Sequence, residues 1–354
     1  MAVPLSPPTP DRLLGLVDAM AGRPVAMLVD LVADLFITGV PKRISREAPV
    51  LILSYQGETL IPGGGGNAVA NVAALGGQPL ALGIVGDDAH GRDLLAALVA
   101  RGVTTDGILV RPGYRTPTKV RILGGGKHAI KQQIVRYDIE DRLELTAADR
   151  ESFGGVMARW AADWGADGGI GAAILSDYGY GAVAPDVLPA MRAALPTATV
   201  VCDSRYRLAD FAGLDGATPN EEEAEALLGG SIDDDPVRLD EAGSALRQRL
   251  GARFLLITRG SRGMSLFEDG LATHLPVHGT DQVADVTGAG DTVIGAFALA
   301  LAAGGSPLEA AFLANYAGGV VVMKTGTATL SPEELRHAIA SDARPLAEVR
   351  WVRS

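Results

Sequence analysis

The sequence has little of the residue types that carry several common kinds of function. It contains one cysteine, Cys202, so no disulfide can form within the chain and a reducing compartment is expected. No stretch approaches the roughly 18 charge-free apolar residues that a membrane-spanning helix needs. The first residues also lack the apolar segment of a secretory signal peptide. We therefore expect a cytoplasmic protein with no membrane partner.

Positive charge and aromatic side chains are also scarce. The 31 basic residues are outnumbered by 42 acidic ones, which gives a net charge of −11 and no basic run. This excludes nucleic acid as an expected partner, and a phosphorylated substrate would have to be met by a few local basic groups. Aromatic residues make up only 5% while glycines number 45, a composition typical of close helix-on-sheet packing. The length of 354 residues suits one large α/β domain or two modest ones.

Apolar runs of strand length alternate with helical patterns along most of the chain. The predicted helices are 11–21, 67–75, 92–101, 185–195 and 221–228, and the predicted strands are 25–34, 80–85, 172–176, 199–203 and 254–258. This order predicts an α/β fold with a mostly parallel sheet and helices on both faces. Ligands of such sheets bind at the carboxyl ends of the strands. The residues expected at those ends are Asp34, Gly86, Asp177, Asp203 and Thr258.

Two segments, 36–62 and 110–138, interrupt the alternation because they are β-rich and lack a helix. They form either a small accessory sheet that closes over the strand ends or ordinary surface hairpins. Residues 1–10 are proline-rich and are expected to be disordered. The remainder, 11–345, is expected to be a single domain.

The most informative segment is DVTGAGDTVIGAFALAL, residues 285–301. Gly288, Ala289 and Gly290 directly precede an apolar helical pattern, and small residues before a helix start form an anion site. Asp291 lies where that anion would arrive, and a carboxylate there is unfavourable unless it handles a proton or a metal. We therefore predict a kinase in which Asp291 accepts a proton from a hydroxyl while nearby N–H groups stabilise the moving phosphoryl group. The alternative is a tight turn with Asp291 as a partner of the helix dipole.

A second glycine-rich segment, PGGGGNAVANVAALGG, begins at Pro62. Gly64 and Gly65 would let a sugar approach the backbone, and Asn67 and Asn71 offer amides to its hydroxyls. A dinucleotide-binding site is not supported, because no acid stands at the end of the following strand.

Three acids and their neighbours are weaker candidates. Asp177 follows a strand, which is equally typical of a turn residue. Asp203 and Arg205 at the next strand end could hold a sugar hydroxyl or a phosphate. Asn220 and Glu223 have the spacing of a helix N-cap with an acid in the first turn.

Taken together, these motifs resemble those of the ribokinase/PfkB family of carbohydrate kinases over about residues 11–340. VTGAGD matches the second family signature and the 62–77 segment the first. Within the family, TPTKVRI (116–122) and QQIVRYD (132–138) are similar to the heptose 7-phosphate kinases. The resemblance implies a ribokinase-like fold in which 36–62 and 110–138 form a β-sheet lid. It also implies ATP as phosphoryl donor, Mg²⁺, and a homodimer formed through the lid.

The resemblance also implies roles for residues at the nucleotide end. Asn220 and Glu223 would lie near the phosphates, with Glu223 acting indirectly on Mg²⁺. Asp285 and Thr287 would contribute to a site for a monovalent cation such as K⁺. The expected nucleotide contacts are Thr258, Gly260, Gly263, Asn315 and Gly318, with Thr327 at the rim of the adenine pocket.

At the sugar end, the resemblance implies that Asp34 and Asn67 grip sugar hydroxyls. A group of basic residues would take the sugar phosphate, although each is equally compatible with a solvated surface charge. The members of this group are Lys119, Arg121, Arg136 and Arg205.

The sequence departs from the heptose kinases near the sugar. Val29 replaces a usual glycine, Leu35-Phe36 replaces Arg-Tyr, and Arg205 replaces a lysine, which keeps the charge but not its geometry. We expect phosphoryl transfer from ATP to C1 of D-glycero-β-D-manno-heptose 7-phosphate by a stand-alone kinase, since no nucleotidyltransferase half follows Ser354. The alternatives are a kinase of another sugar, sugar phosphate or nucleoside, and a non-catalytic sugar-binding regulator on the same fold.

Overall fold

Fourteen strands make up two sheets in the computed structural model, which describes residues 6–126, 131–165, 169–232, 235–279 and 284–353. The strands are β1 Pro24–Val29, β2 Leu31–Ile44, β3 Leu51–Gly64, β4 Gln78–Gly86, β5 Ile108–Arg111, β6 Thr118–Gly124, β7 Gln132–Ile139, β8 Ala172–Asp177, β9 Thr199–Ser204, β10 Gly216–Ala217, β11 Phe254–Thr258, β12 Met264–Glu268, β13 Leu271–Leu275 and β14 Arg350–Arg353.

The larger sheet has ten strands in the order β14-β13-β12-β11-β10-β9-β8-β1-β4-β5. Every pair from β11 to β5 is parallel, and β12, β13 and β14 extend the sheet with antiparallel pairs. The expected mostly parallel sheet is therefore confirmed. Parallel pairing brings the carboxyl ends of β1, β8, β9 and β11 to one edge, where ligands of such sheets bind.

Helices cover both faces of this sheet, as expected. Those in the described part of the chain are α1 Pro10–Ala19, α2 Gly65–Ala74, α3 Ala89–Val99, α4 Ala147–Trp164, α5 Leu188–Ala194, α6 Glu221–Leu228, α7 Pro236–Leu250, α8 Ala289–Ala302, α9 Pro307–Val321, α10 Pro332–Ser341 and α11 Arg344–Ala347. None of these helices combines the length and the apolar character that crossing a bilayer requires.

The core consists of two apolar layers separated by the sheet. Because side chains alternate across a strand, Met27 of β1 packs with α1, α2, α8 and α9, while its neighbour Leu28 packs with α4 and α5 on the other face. Strand β1 is buried along its whole length, which explains its uninterrupted apolar sequence. This rigid centre holds the strand ends that carry the site.

The smaller sheet has the order β3-β2-β6-β7, with one parallel pair, β2 with β6, between two antiparallel ones. It begins at Leu31 and Thr118, whereas the sequence predicted segments from 36 and from 110. Residues 110 and 111 belong instead to β5 at the edge of the large sheet. Residues 127–130, within the second predicted segment, lie outside the described residues.

The predicted strand 25–34 is wrong in one respect, since it is two strands in two sheets. Strand β1 ends at Val29, and β2 begins at Leu31. Asp34 therefore lies within the small sheet and not at a carboxyl end of the large one. Apolar residues continue on both sides of Asp30 because both strands are buried here, and Asp30 alone marks the change of sheet.

The amino terminus also differs from the expectation of disorder over residues 1–10. Thr9 caps α1, its side chain accepting the N–H of Arg12 at 3.2 Å, and Pro10 is the first helical residue. Residues 1–5 lie outside the described residues.

Candidate active site

Asp291 lies in the first turn of α8 with 3% of its surface exposed. Its Oδ2 accepts a hydrogen bond from Asn67 Nδ2 at 3.0 Å, and its Oδ1 accepts one from the Tyr178 hydroxyl at 2.7 Å. Burial raises the pKa of Asp291 to about 6, although these two donors favour the charged form and lower it. A carboxyl group with a pKa close to neutrality is suited to accept a proton and release it again.

Helix α8 begins with the residues that the glycine-rich motif predicted. Gly288 is the N-cap, with φ of +79°, and a Cβ at this position would lie 2.5 Å from Asn67 Nδ2. The N–H of Ala289 donates to the Val286 carbonyl at 3.2 Å. Among the described residues, the N–H groups of Gly290 and Asp291 donate to no acceptor within the chain. The free donors for an anion therefore lie one residue later than the predicted pair, Ala289 and Gly290.

The two asparagines of the glycine-rich segment 62–77 form a chain of hydrogen bonds that leads to Asp291. Asn67 reaches Asp291, while Asn71 is fully buried and donates to the Asn67 carbonyl at 3.0 Å and to Asn67 Oδ1 at 3.2 Å. Asn71 thus orients Asn67, and the structure does not bring it to the cleft as the sequence predicted. Gly65 is required by close packing, because a Cβ there would lie 2.5 Å from Val29 Cβ.

Asp34 lies on the face of the small sheet that is turned towards Asp291. Its Oδ1 accepts from Arg121 Nη1 at 2.6 Å, and its Oδ2 is 3.4 Å from the Thr327 hydroxyl. Thr327 was predicted at the rim of the adenine pocket, but it lies here, beside Gly288 at the sugar end. Loop connections between α9 and α10 could not be placed from sequence spacing alone.

Of the basic residues predicted to take a sugar phosphate, Arg121 and Arg136 are paired within the small sheet. Arg136 donates two hydrogen bonds to Asp138, at 2.8 and 2.6 Å. Among the described residues, no carboxylate lies within salt-bridge distance of Lys119, whose Nζ is 5.4 Å from the centre of the Tyr178 ring. Burial lowers the pKa of Lys119. Its ammonium group is therefore the cation of this face with the most to gain from an anionic ligand.

Asp177 is the last residue of β8 and Asp203 is the last but one of the neighbouring β9, but their hydrogen-bond partners differ. Asp177 is buried, and its carboxylate accepts from Arg207 Nη2 at 2.8 Å, Gly179 N at 3.0 Å and Ser204 Oγ at 2.7 Å. This set of donors leaves Asp177 in a structural ion pair. Asp203 lines the same open cleft as Asp177, but its pKa is raised well above the ordinary value by burial and by the charge of Glu223.

The N-x-x-E pair forms a capping box at the start of α6. Asn220 Oδ1 accepts the Glu223 N–H at 2.8 Å, and Glu223 Oε2 accepts the Asn220 N–H at 3.0 Å. The capping interpretation of this pair is therefore correct. Both residues also line the same cleft as Asp203 and the exposed Arg205, and burial raises the pKa of Glu223.

Two cavities meet at the start of α8. The first, of about 170 Å³, is mostly apolar and contains all five residues predicted to contact the nucleotide. The second is the cleft of about 680 Å³ that contains Asp177, Asp203, Asn220 and Glu223. Both are lined by Thr258, Val286 and Gly290, so they form one continuous groove that passes Gly290, the residue before Asp291.

The first cavity, which we call the nucleotide cavity because it contains the predicted nucleotide contacts, depends on two close approaches. Gly263 has φ of +80°, and a Cβ there would clash with the Leu275 carbonyl. Asn315 is buried, and its Nδ2 donates to the Pro276 carbonyl at 2.8 Å, so its amide holds the cavity wall in place.

Asp285 joins two loops at the edge of the cleft. Its Oδ1 accepts the Thr287 N–H at 2.9 Å and its Oδ2 accepts the Gly326 N–H at 3.1 Å. Burial would raise the pKa of Asp285, but these hydrogen bonds outweigh it and the pKa is lowered. The carboxylate is therefore charged at neutral pH.

No three His, Cys, Asp or Glu side chains in the described residues converge closely enough to hold a metal ion by themselves. The carboxylates of Asp203 and Glu223 nevertheless share a cleft, and burial raises the pKa of both. Such surplus negative charge fits a divalent cation that takes its remaining ligands from a phosphate substrate and from water.

Two residues of the site were missed from the sequence, Tyr178 and Asp30. Asp30 is buried directly after β1, and its carboxylate accepts backbone N–H groups from Tyr178, Tyr180 and Ala182, each at 2.9 Å. We call residues 178–182 the Tyr178 loop. Two features of the sequence could have indicated these residues. One is the acid inside the apolar run, and the other is the loop with glycine at alternate positions, 179 and 181.

Comparison with known proteins gives consistent matches along the chain. The sequence profile described as pfkB family carbohydrate kinase matches residues 34–157 and 171–334. The chain is 37% identical to the bifunctional protein HldE of Mesorhizobium japonicum over 97% of its own length, and it spans about two thirds (67%) of the length of that relative.

Two solved structures share the fold. Phosphofructokinase-2 from Escherichia coli in complex with potassium superposes with a TM-score of 0.68 at 19% identity, over 90% of this chain and 98% of that one. Ribokinase from Arabidopsis thaliana complexed with ribose and ATP gives a TM-score of 0.69 at 21% identity, over 90% and 99%. The expected ribokinase-like fold is thereby confirmed.

Proposed function

We propose, since this chain belongs to the pfkB family of carbohydrate kinases, that it phosphorylates C1 of D-glycero-β-D-manno-heptose 7-phosphate with Asp291 as the base. Family membership makes the protein an ATP-dependent sugar kinase, while the sugar and the base are our proposal. One observation supports the base above all. Asp291 is buried directly after Gly290, which lines both parts of the continuous groove, and it has a pKa of about 6 beside free N–H groups at the start of α8.

The reaction needs one proton transfer and one displacement. Asp291 accepts the proton of the sugar hydroxyl as that oxygen attacks the γ-phosphorus of ATP. The bond from the γ-phosphorus to the bridging oxygen breaks and ADP leaves. The N–H groups of Gly290 and Asp291 are placed to donate to the transferring phosphoryl group, where negative charge is concentrated.

The metal ions that the family implies suit two places in the site. Mg²⁺ would be bound on the side of Asp203 and Glu223, and when bound it neutralises charge on the phosphate oxygens. A potassium ion accompanies the E. coli phosphofructokinase-2 structure. For this chain we propose the loop of Asp285 and Thr287 for a monovalent cation, because the Asp285 carboxylate stays charged there.

The choice of a phosphorylated sugar rests on the small sheet. Lys119, Arg121 and Arg136 lie on one face of it, since Lys119 pairs with Asp138 and Arg121 with Arg136 across neighbouring strands. Lys119 contacts the Tyr178 ring, so this face is turned to the site. Arg205 lies across the cleft. In a chain of net charge −11, Lys119 and Arg205 beside the site, together with the ion-paired Arg121 and Arg136, suit a sugar that carries a phosphate.

We also propose a homodimer formed through the small sheet. Half of the exposed large apolar side chains in the described part of the chain lie on this sheet or in its turn. They are Ile44, Val50, Leu51, Tyr55, Ile134, Val135 and Tyr137. Such a concentration is unusual for a surface that remains in water.

The test is ADP release from Mg-ATP with a panel of acceptors. The panel contains D-glycero-β-D-manno-heptose 7-phosphate, sedoheptulose 7-phosphate, fructose phosphates, ribose and adenosine. We expect selective turnover of the heptose phosphate, a new anomeric phosphate in the ³¹P NMR spectrum, and loss of turnover in Asp291→Asn. Turnover of another member would replace the sugar and keep the mechanism. Nucleotide binding with no turnover on any acceptor would favour the non-catalytic regulator.

A further inference from the structure

The carboxylate of Asp291 is held by one donor on each oxygen. Tyr178 donates to Oδ1 at 2.7 Å and Asn67 donates to Oδ2 at 3.0 Å. Two donors on different oxygens fix the plane of a carboxylate and leave its remaining lone pairs directed elsewhere. Burial raises the pKa of the Tyr178 phenol well above its usual value, so this group remains a neutral donor at working pH and does not compete as a base.

Both donors are tied to a single residue at the end of β1. The Asp30 carboxylate holds the Tyr178 loop through three backbone N–H groups. The Asp30 carbonyl also accepts the N–H of Gly65 at 3.1 Å, at the start of the helix that carries Asn67. Asp30 therefore connects to Tyr178 through its side chain and to Asn67 through its backbone.

The conformation of the Tyr178 loop is built around the Asp30 carboxylate. Gly179 and Gly181 have φ of +81° and +102°, and they alternate with the three residues whose N–H groups are directed towards Asp30. A Cβ on Gly181 would clash with the Leu143 carbonyl, so the far side of the loop is closed. Burying the Asp30 carboxylate is unfavourable and raises its pKa to about 6, a cost that a purely local turn would not need.

From this geometry we propose that Tyr178 is a positioning residue for the base, and that Asp30 holds Tyr178 in place through its loop. The inference rests on the proposed role of Asp291. Tyr178 fixes the direction of the Asp291 carboxylate, and its ring lies beside Lys119, so it joins the base to the cation of the sugar side.

The first test is Tyr178→Phe, with Tyr180→Phe as the matched control. Both tyrosines belong to one loop, but the Tyr180 hydroxyl is directed to Glu140, at 3.4 Å. Loss of a hydrogen bond to a charged group should lower kcat about tenfold or more in Tyr178→Phe. KM for ATP should be unchanged, because Tyr178 does not line the nucleotide cavity. Tyr180→Phe should retain normal kcat, and equal effects of the two variants would overturn the proposal.

The pH dependence gives a second readout. The titratable and charged groups around Asp291 are Tyr178, Asp34, Lys119 and Asp203. Tyr178→Phe removes a donor that favours the charged carboxylate, so the acid limb of kcat should move to higher pH. A purely structural loss would lower kcat equally at every pH.

A third readout does not depend on activity. The difference in Tm between the wild-type chain and the Asp291→Asn variant, followed from pH 4 to 8, reports the titration of Asp291 in the folded protein. When both proteins also carry Tyr178→Phe, this curve should shift to higher pH. If no acceptor is turned over but the shift is seen, the proposed function fails and the positioning contact stands. If the shift is absent, the positioning proposal fails whatever the enzyme phosphorylates.

The role of Asp30 is tested by a double-mutant cycle. Asp30→Asn replaces one acceptor oxygen by an NH₂ group, which faces the backbone N–H donors of the Tyr178 loop and repels them. This change should lower kcat in the wild-type background. Because Asp30 acts through Tyr178, the same change should have little further effect on kcat in Tyr178→Phe. Additive effects would overturn this part of the proposal. If Asp30→Asn does not fold, Asp30→Glu, which keeps the charge, takes its place in the cycle.

Discussion

Two buried acids of the site lower the stability of the fold when they are charged. Asp291 and Asp30 are both buried, and each has a pKa of about 6 because burial disfavours the ionised form more than the hydrogen bonds favour it. Asp177 shows the contrast, since an arginine and two further donors satisfy it. Of these two poorly compensated acids, Asp291 is the one that adjoins the groove, as expected where chemistry and stability compete.

Asp291→Asn should therefore stabilise the fold while abolishing turnover. The pKa of Asp291 rises from 3.8 to about 6 on folding, so between about pH 4 and 6 the folded chain binds more protons than the unfolded one. Stability conferred by this group thus falls as pH rises through that window, and the penalty is complete above it. Removing the charge should add about 1–3 kcal/mol to the free energy of unfolding at pH 8 and much less at pH 4.

Urea unfolding of both proteins at the two pH values measures this difference, with Asp163→Asn on the exposed side of α4 as the control. An Asp291→Asn variant that is less stable at pH 8 would contradict the interpretation. An asparagine side chain can still accept from Asn67 and donate to the Tyr178 oxygen, so the site need not lose its hydrogen bonds.

At the scale of elements, the start of α8 and the end of β1 decide the site. Helix α8 is buried along nearly its whole length, so the direction in which it enters the core is fixed. Gly288 gives that entry because its φ of +79° and the nearby Asn67 amide both exclude a side chain. The glycine was visible in the sequence, but the asparagine against it was not.

Gly288→Ala should cost both stability and activity, with Gly304→Ala at the other end of α8 as the matched control. Both glycines have positive φ, so each alanine should lower the free energy of unfolding by about 1 kcal/mol. Only at Gly288 does the new Cβ meet a neighbour, Asn67 Nδ2, whereas Gly304 faces open space. We expect at least a tenfold larger loss of kcat in Gly288→Ala, and similar kcat in the two variants would contradict this role.

At the scale of the whole molecule, a large, mostly parallel sheet and a small mixed sheet are joined where β1 passes into β2. The large sheet supplies a rigid base with apolar layers on both faces, and the small sheet supplies Asp34 and the basic residues from above. In the proposed homodimer, a second copy of the chain would cover the exposed apolar side chains of the small sheet.

Val135→Glu should therefore shift the protein from dimer to monomer. Val135 is 46% exposed on β7, and a charge there would be buried unpaired in the proposed interface. Val110→Glu, at 50% exposure on the edge of the large sheet, is the control and should leave the dimer intact. Light scattering after size-exclusion chromatography distinguishes the two, and a wild-type monomer at micromolar concentration would refute the interface.

The sequence by itself determined the alternation of strands and helices, the mostly parallel sheet and the acid at the start of α8. These features depend on local periodicity, helix-start chemistry and glycine placement, which are properties of neighbouring residues. Helix 221–228 and strand 254–258, for example, have the bounds that the pattern predicted.

Only the tertiary structure decided how distant segments meet. It showed that 25–34 is two strands, that Asn71 supports Asn67, that Asp177 is paired with Arg207, and that Thr327 lies beside Asp34. It also brought Asp30 and Tyr178 to the base. These contacts join residues more than a hundred positions apart in several cases, and no local pattern records which buried polar group will satisfy which other.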